Sequence, residues 1–162
     1  MYEETQMTAG QPAGASSAKH PNNWQELPWS KISAHVLRLQ MRIAKAEREG
    51  KKGRVKALQR ILTSSFYAKC SAVKRITSNK GSKTPGVDGV ILRTSRQKIN
   101  AVFDLKRRDY NPSPLRRIHI PKKNGKLRPL SIPTQKDRAM QALWQAALVP
   151  VAEVLAALQT RN

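Results

Sequence analysis

The sequence predicts an α+β fold, with N-terminal helices, one small antiparallel β-hairpin and a closing helix. Three observations predict it. Apolar residues recur at four- and three-residue spacing through Ile32, Val36, Leu39 and Ile43, and again through Val55, Leu58 and Leu62, as in amphipathic helices. Between residues 114 and 133 two short runs with β-branched residues flank Asn124-Gly125, a strong short-range hairpin signal. After Pro133 the helical spacing returns in Met140, Leu143, Ala147, Val151 and Leu155.

Taken in order, residues 1–20 are Gly, Ala, Ser, Gln and Thr with few large apolar groups, the composition of a disordered tail. Pro21 to Trp29 holds two prolines and two tryptophans, which predicts an extended entry anchored by burial of the Trp24 and Trp29 rings. A helix is expected from Ser30 to Gly50, with Lys45, Arg48, Lys51 and Lys52 at its C-terminal end, where cations suit the helix dipole. A second is expected as one continuous helix from Gly53 to Ser78. Its inner stripe runs Val55, Leu58, Leu62, Phe66, Cys70, Val73 and Ile76. Arg54, Lys56, Arg60, Lys69, Lys74 and Arg75 lie on its other faces. Together they read as an antiparallel pair with a basic outer surface.

Asn79 to Gly89, NKGSKTPGVDG, has three glycines, a Thr-Pro step and two lysines, and leaves no room for regular structure. Such a backbone either approaches a phosphate chain or simply connects. Thr94-Ser95-Arg96-Gln97 matches a capping box, opening a helix that runs to Tyr110 before Asn111-Pro112 ends it. The last helix spans Lys136 to Leu158, and Pro150 should kink or break it. Three regions follow: the tail 1–20, a helical extension with its loop at 21–92, and a second part at 93–162. There is no internal repeat.

The hairpin register follows from one face being buried. A two-residue Asn-Gly loop would pair Lys123 with Lys126 and set Ile118 and Ile120 on the opposite face from Leu130 and Ile132. A three-residue loop with Gly125 in the left-handed region restores the match. Even-numbered residues then share a face, with Ile118, Ile120, Leu130 and Ile132 as an apolar base and Lys122 and Arg128 together nearer the tip. Those cations suit phosphate binding. Lysines such as Lys122, Lys123 and Lys126 also serve to blunt strand edges.

Lys and Arg number 31 against 10 acidic residues, a formal charge of +21, which predicts a polyanionic partner. No apolar run comes near the roughly 18 residues of a bilayer-crossing segment, and no signal sequence opens the chain, so nucleic acid is favoured over membrane. Cys70 is the only cysteine, which excludes an internal disulfide and a cysteine-based zinc site and fits reducing, cytoplasmic surroundings. His20, His35 and His119 lack metal-ligand spacing. No Walker loop, nucleophile elbow or zinc-protease motif is present, and no pair of acidic residues is placed to hold two magnesium ions. No catalytic residue is assigned.

Six blocks in order carry a family resemblance: LQMRIAKA at Leu39–Ala46, LQRIL at Leu58–Leu62, NKGSKTPGVDGV at Asn79–Val90, YNPSPLRR from Tyr110, IPKKNGKLRPLSIP at Ile120–Pro133, and DRAMQALW at Asp137–Trp144. Through these the sequence, from about Trp24 to Glu153, resembles the N-terminal part of group II intron reverse transcriptase/maturases. The resemblance implies the fingers subdomain of a right-hand polymerase, truncated before the palm. It implies triphosphate contacts from Lys122 and Arg128, with Arg116 near the template or nucleotide. It implies an RNA partner, intron or template-primer, for Arg54, Arg60, Lys74, Arg75, Lys80, Lys83, Thr84, Gly86 and Arg117. The palm aspartates are absent, so Mg2+ and deoxynucleoside triphosphates are expected only for a polymerase completed by a palm and thumb polypeptide. With that palm absent, Leu143, Trp144, Leu148 and Val151 of the last helix are expected to be exposed. The closing VLAALQTRN departs from the family. The expected function is that of an RNA-binding fragment. The alternatives are the fingers of a split reverse transcriptase and a non-functional basic remnant.

Overall fold

The computed structural model describes residues 23–160, so the expected tail, Pro21 and His20 lie outside the described residues. Among the described residues there are five α-helices and one hairpin, one helix more than predicted: α1 Trp29–Arg48, α2 Lys52–Ser64, α3 Phe66–Ser78, α4 Ser95–Asp104, β1 Arg116–Pro121, β2 Leu127–Ile132 and α5 Gln135–Gln159. The α+β expectation holds. The core lies between α1, α3 and α5, where Ile32, Ile43, Leu62, Val73, Met140 and Leu143 are almost wholly shielded from water. Trp24 is buried edge-on against half-buried Trp29, with ring centroids 4.9 Å apart, but the entry segment they anchor turns at residues 24–27 rather than running extended.

α1 ends in a glycine-capped turn. Gly50 takes φ 67°, the Gly50 N–H donates to Glu47 O, and the Lys51 N–H reaches back to Ala46 O at 2.9 Å. Buried Glu47 is paired with Lys52 across this turn, while Glu49 pairs with Lys51 at 2.8 Å.

The expected continuous helix from 53 to 78 is two helices. Ser65 adopts φ −65°, ψ 130°, which stops α2 and caps α3. Small hydroxyl residues compete for the backbone here: Thr63 Oγ1 donates to Gln59 O, and Ser65 Oγ lies 3.3 Å from His35 Nε2 of α1. The inner stripe nonetheless continues across the break, from Val55, Leu58 and Leu62 to Cys70, Val73 and Ile76, all buried. Burial pushes the Cys70 thiol up to about 12, as befits an inert core residue.

Two further boundaries moved. The 79–89 loop contains one regular piece, a 3-10 turn at Lys80–Lys83. α4 opens with the expected capping box, Thr94 and Gln97 bonding reciprocally, but closes at Asp104 rather than Tyr110. Leu105, 1% exposed, leaves the helix to enter the core.

α5 runs through Pro150 as one helix, so the break that a proline could have caused there does not occur. Proline has no N–H for the carbonyl four residues back, which is Ala146 O. Gln40 of α1 supplies that bond from Nε2 at 2.9 Å, and Gln59 of α2 bonds the next carbonyl, Ala147 O, at 3.0 Å. Two glutamines from neighbouring helices thus repair the helix where the proline opens it. Leu143 is buried, against the expected exposure, and Val151 is half-buried; Trp144, Leu148, Leu155 and Leu158 do face solvent. By length and composition alone α5 could also cross a bilayer, which corrects the sequence reading that no run comes near this. Its inner face of Ala139, Met140, Leu143 and Ala147 is packed in the core.

Candidate nucleic-acid interface

The hairpin has the expected register. Arg116 pairs with Ile132, Ile118 with Leu130 and Ile120 with Arg128. The Lys122 N–H donates to Lys126 O at 2.7 Å, the Gly125 N–H donates to Lys122 O, and Gly125 sits at φ 75°. The loop is therefore residues 123–125, and even-numbered residues share a face. Lys122 and Arg128 stand on it as diagonal neighbours, a spacing of roughly 7 Å in such ribbons. Lys126, opposite Lys122, joins them. Its even number in the same register was a sufficient signal, and the sequence reading did not draw it. Arg116 lies on this face at the root, while Arg117, opposite Ser131, lies on the other.

Only Ile132 of the ribbon is buried; Ile118 and Ile120 are half-buried and Leu130 is 37% exposed, so the apolar base is thinner than expected. The ribbon stands away from the helices and is held at its root. A two-stranded hairpin is marginal by itself, so the root decides how firmly the cations are held.

Asp137, in the first turn of α5, builds much of that root. Tyr110 donates its hydroxyl to Oδ1; the Ser113 N–H and Thr134 Oγ1 donate to Oδ2 at 3.3 and 2.7 Å. The chain entering β1 and the chain leaving β2 therefore meet on one carboxylate. Burial raises the Asp137 carboxyl, but the bonds from Tyr110, Thr134 and Ser113 outweigh it and hold it below its ordinary value. Burial first, and then the bond to Asp137, push the Tyr110 hydroxyl up to about 12.

The loop packs on the same root. A Cβ on Gly86 would lie 2.5 Å from Thr134 Cα, so the missing side chain permits contact between two backbones of this chain. Lys80 and Lys83 are exposed in the 3-10 turn, and exposed Thr84 follows. Lys74 and Arg75 are exposed near the end of α3, the Lys74 ammonium 4.3 Å over the Trp29 ring. Arg54 and Arg60 are exposed on α2. That helix meets α5 at Ala147, roughly 18 Å along the axis from the first turn, so they form a separate group.

Among the described residues, ion pairs occur only at the α1–α2 turn, and no cluster of His, Cys, Asp and Glu is suited to a metal. The hairpin cations have no acid partner in that set.

The family model described as the N-terminal domain of reverse transcriptase matches residues 24–105, and the chain belongs to that family. Its relatives include Protein YkfC of Escherichia coli (strain K12), 37% identical over 105 residues, covering 62% of this chain and 27% of that protein. The Group II intron-encoded protein LtrA of Lactococcus lactis subsp. cremoris is 39% identical over 85 residues, covering 51% of this chain and 14% of that protein. The matched segment thus spans about a quarter or less of these relatives. The group II intron resemblance read from the six blocks is borne out as to family.

Proposed function

We propose that this chain is an RNA-binding fingers element of a group II intron-type reverse transcriptase. The observation that carries the reading is the cationic tip: Lys122, Lys126 and Arg128 share one hairpin face and form no ion pair among the described residues. Such a tip suits the phosphates of a template or of an incoming nucleotide, with Arg116 nearer the root. The group of Lys74, Arg75, Lys80 and Lys83 suits the backbone of structured RNA. Polymerisation is assigned to a completed enzyme whose palm, on this chain or another, supplies the carboxylates for Mg2+. Titrating a structured RNA between about 50 and 200 mM salt tests the binding reading, since each phosphate neutralised adds roughly 0.7–0.9 to the log–log slope. A steep slope supports it; affinity that is flat across this range refutes it.

A further inference from the structure

The 81–84 turn and Leu92, both distant in sequence, meet the hairpin exit at the first turn of α5. Arg138 Nε donates to Pro133 O at 3.0 Å, Nη1 to Gly81 O at 2.8 Å and Nη2 to Thr84 O at 2.5 Å. Gln135 adds Nε2 to Ser82 O at 2.7 Å, and its Oε1 accepts from the Leu92 N–H. Each of the three guanidinium nitrogens is thus committed to backbone, so Arg138 is not a free cation of the surface. What it grips is the turn that carries Lys80 and Lys83 on one side and the exit of the cationic hairpin on the other.

We propose that Arg138 is a positioning residue that locks the 80–84 turn to the hairpin root, so that Lys80, Lys83 and the hairpin cations meet one RNA backbone as a single pre-set surface. The inference rests on the RNA-binding reading above. Lysines on a loose turn lose freedom when they bind, and holding the turn beforehand removes part of that cost. Only a planar fork can reach three carbonyls in this way; a lysine keeps the charge and loses the clamp.

The test uses the full chain with Arg138→Lys, Arg138→Ala and the pair Lys80→Ala/Lys83→Ala, alone and combined, against one structured RNA. In the unaltered background the lysine pair should cost about tenfold in affinity and lower the salt slope by roughly 1.5. In either Arg138 background that cost should fall to about twofold, and Arg138→Lys should behave like Arg138→Ala. An Arg138→Lys chain indistinguishable from the parent, or a lysine cost unchanged by it, overturns the proposal. Amide exchange without RNA gives the second readout. The Ser82 and Thr84 N–H groups, bonded to Asn79 O and Gly81 O, should exchange about tenfold faster in Arg138→Lys while α1 and α3 are unchanged. Equal acceleration throughout would mean general destabilisation and would overturn it too. If the parent chain binds no RNA, the functional reading falls and the shared surface with it, whereas RNA binding with additive effects removes only the positioning role.

Discussion

The repair of α5 at Pro150 makes a quantitative prediction. Gln40→Ala removes the donor to Ala146 O, the carbonyl the proline leaves without an intrahelical partner. An orphaned buried carbonyl costs about 1–3 kcal/mol. Both Gln40 and Ala146 are half-buried, so water recovers part of this and about 1 kcal/mol is expected. In a Pro150→Ala background residue 150 regains its N–H and bonds Ala146 O directly, so Gln40→Ala should then cost only about 0.3 kcal/mol. Urea denaturation of the four chains of this cycle at constant m-value should give a coupling of roughly 0.7 kcal/mol. An equal cost of Gln40→Ala in both backgrounds would refute the account, because the glutamine would then be acting through packing alone.

Three other outcomes are expected. Asp137→Ala should cost about 2–3 kcal/mol, since three donors lose a charged acceptor, and hairpin amides should lose protection before those of α1. Because the folded carboxyl lies below its unfolded value, its contribution is present above the ordinary carboxylate range and lost as pH falls through the folded pKa. Asp137→Ala should therefore flatten the acid limb of the stability profile. The Tyr110 hydroxyl runs the other way: its folded value is raised, so its contribution persists below pH 10 and is lost between there and about 12, which Tyr110→Phe should abolish in alkaline melts. Gly86→Ala should lower the thermal midpoint by about 5 °C or more, as the new methyl meets backbone that cannot swing aside; an unchanged midpoint would mean the loop is not seated on Thr134.

Much of the candidate site was legible because it depends on parity. The apolar residues Ile118, Ile120, Leu130 and Ile132 must share a face, which is enough to choose between an even and an odd register, and that choice places every cation on the ribbon. The capping box at Thr94 and the inner stripe from Val55 to Ile76 were legible for the same reason, since both are patterns within a few turns of chain. The break at Ser65 was not. It needs no proline or glycine; it follows from hydroxyls that bond sideways and from His35 on another helix. Nor was Leu105 leaving α4, because the pull comes from a core assembled out of other segments.

The α+β class, the inner stripes of α1 to α3, the pairing of the strands and the excess of cations were thus set by the sequence alone, because periodicity and charge act over short stretches. Tertiary structure alone decided what Gln40, Gln59, Gly86, Asp137 and Arg138 do. Each serves a backbone or side-chain group brought close by folding, and such partners are named only when distant segments meet.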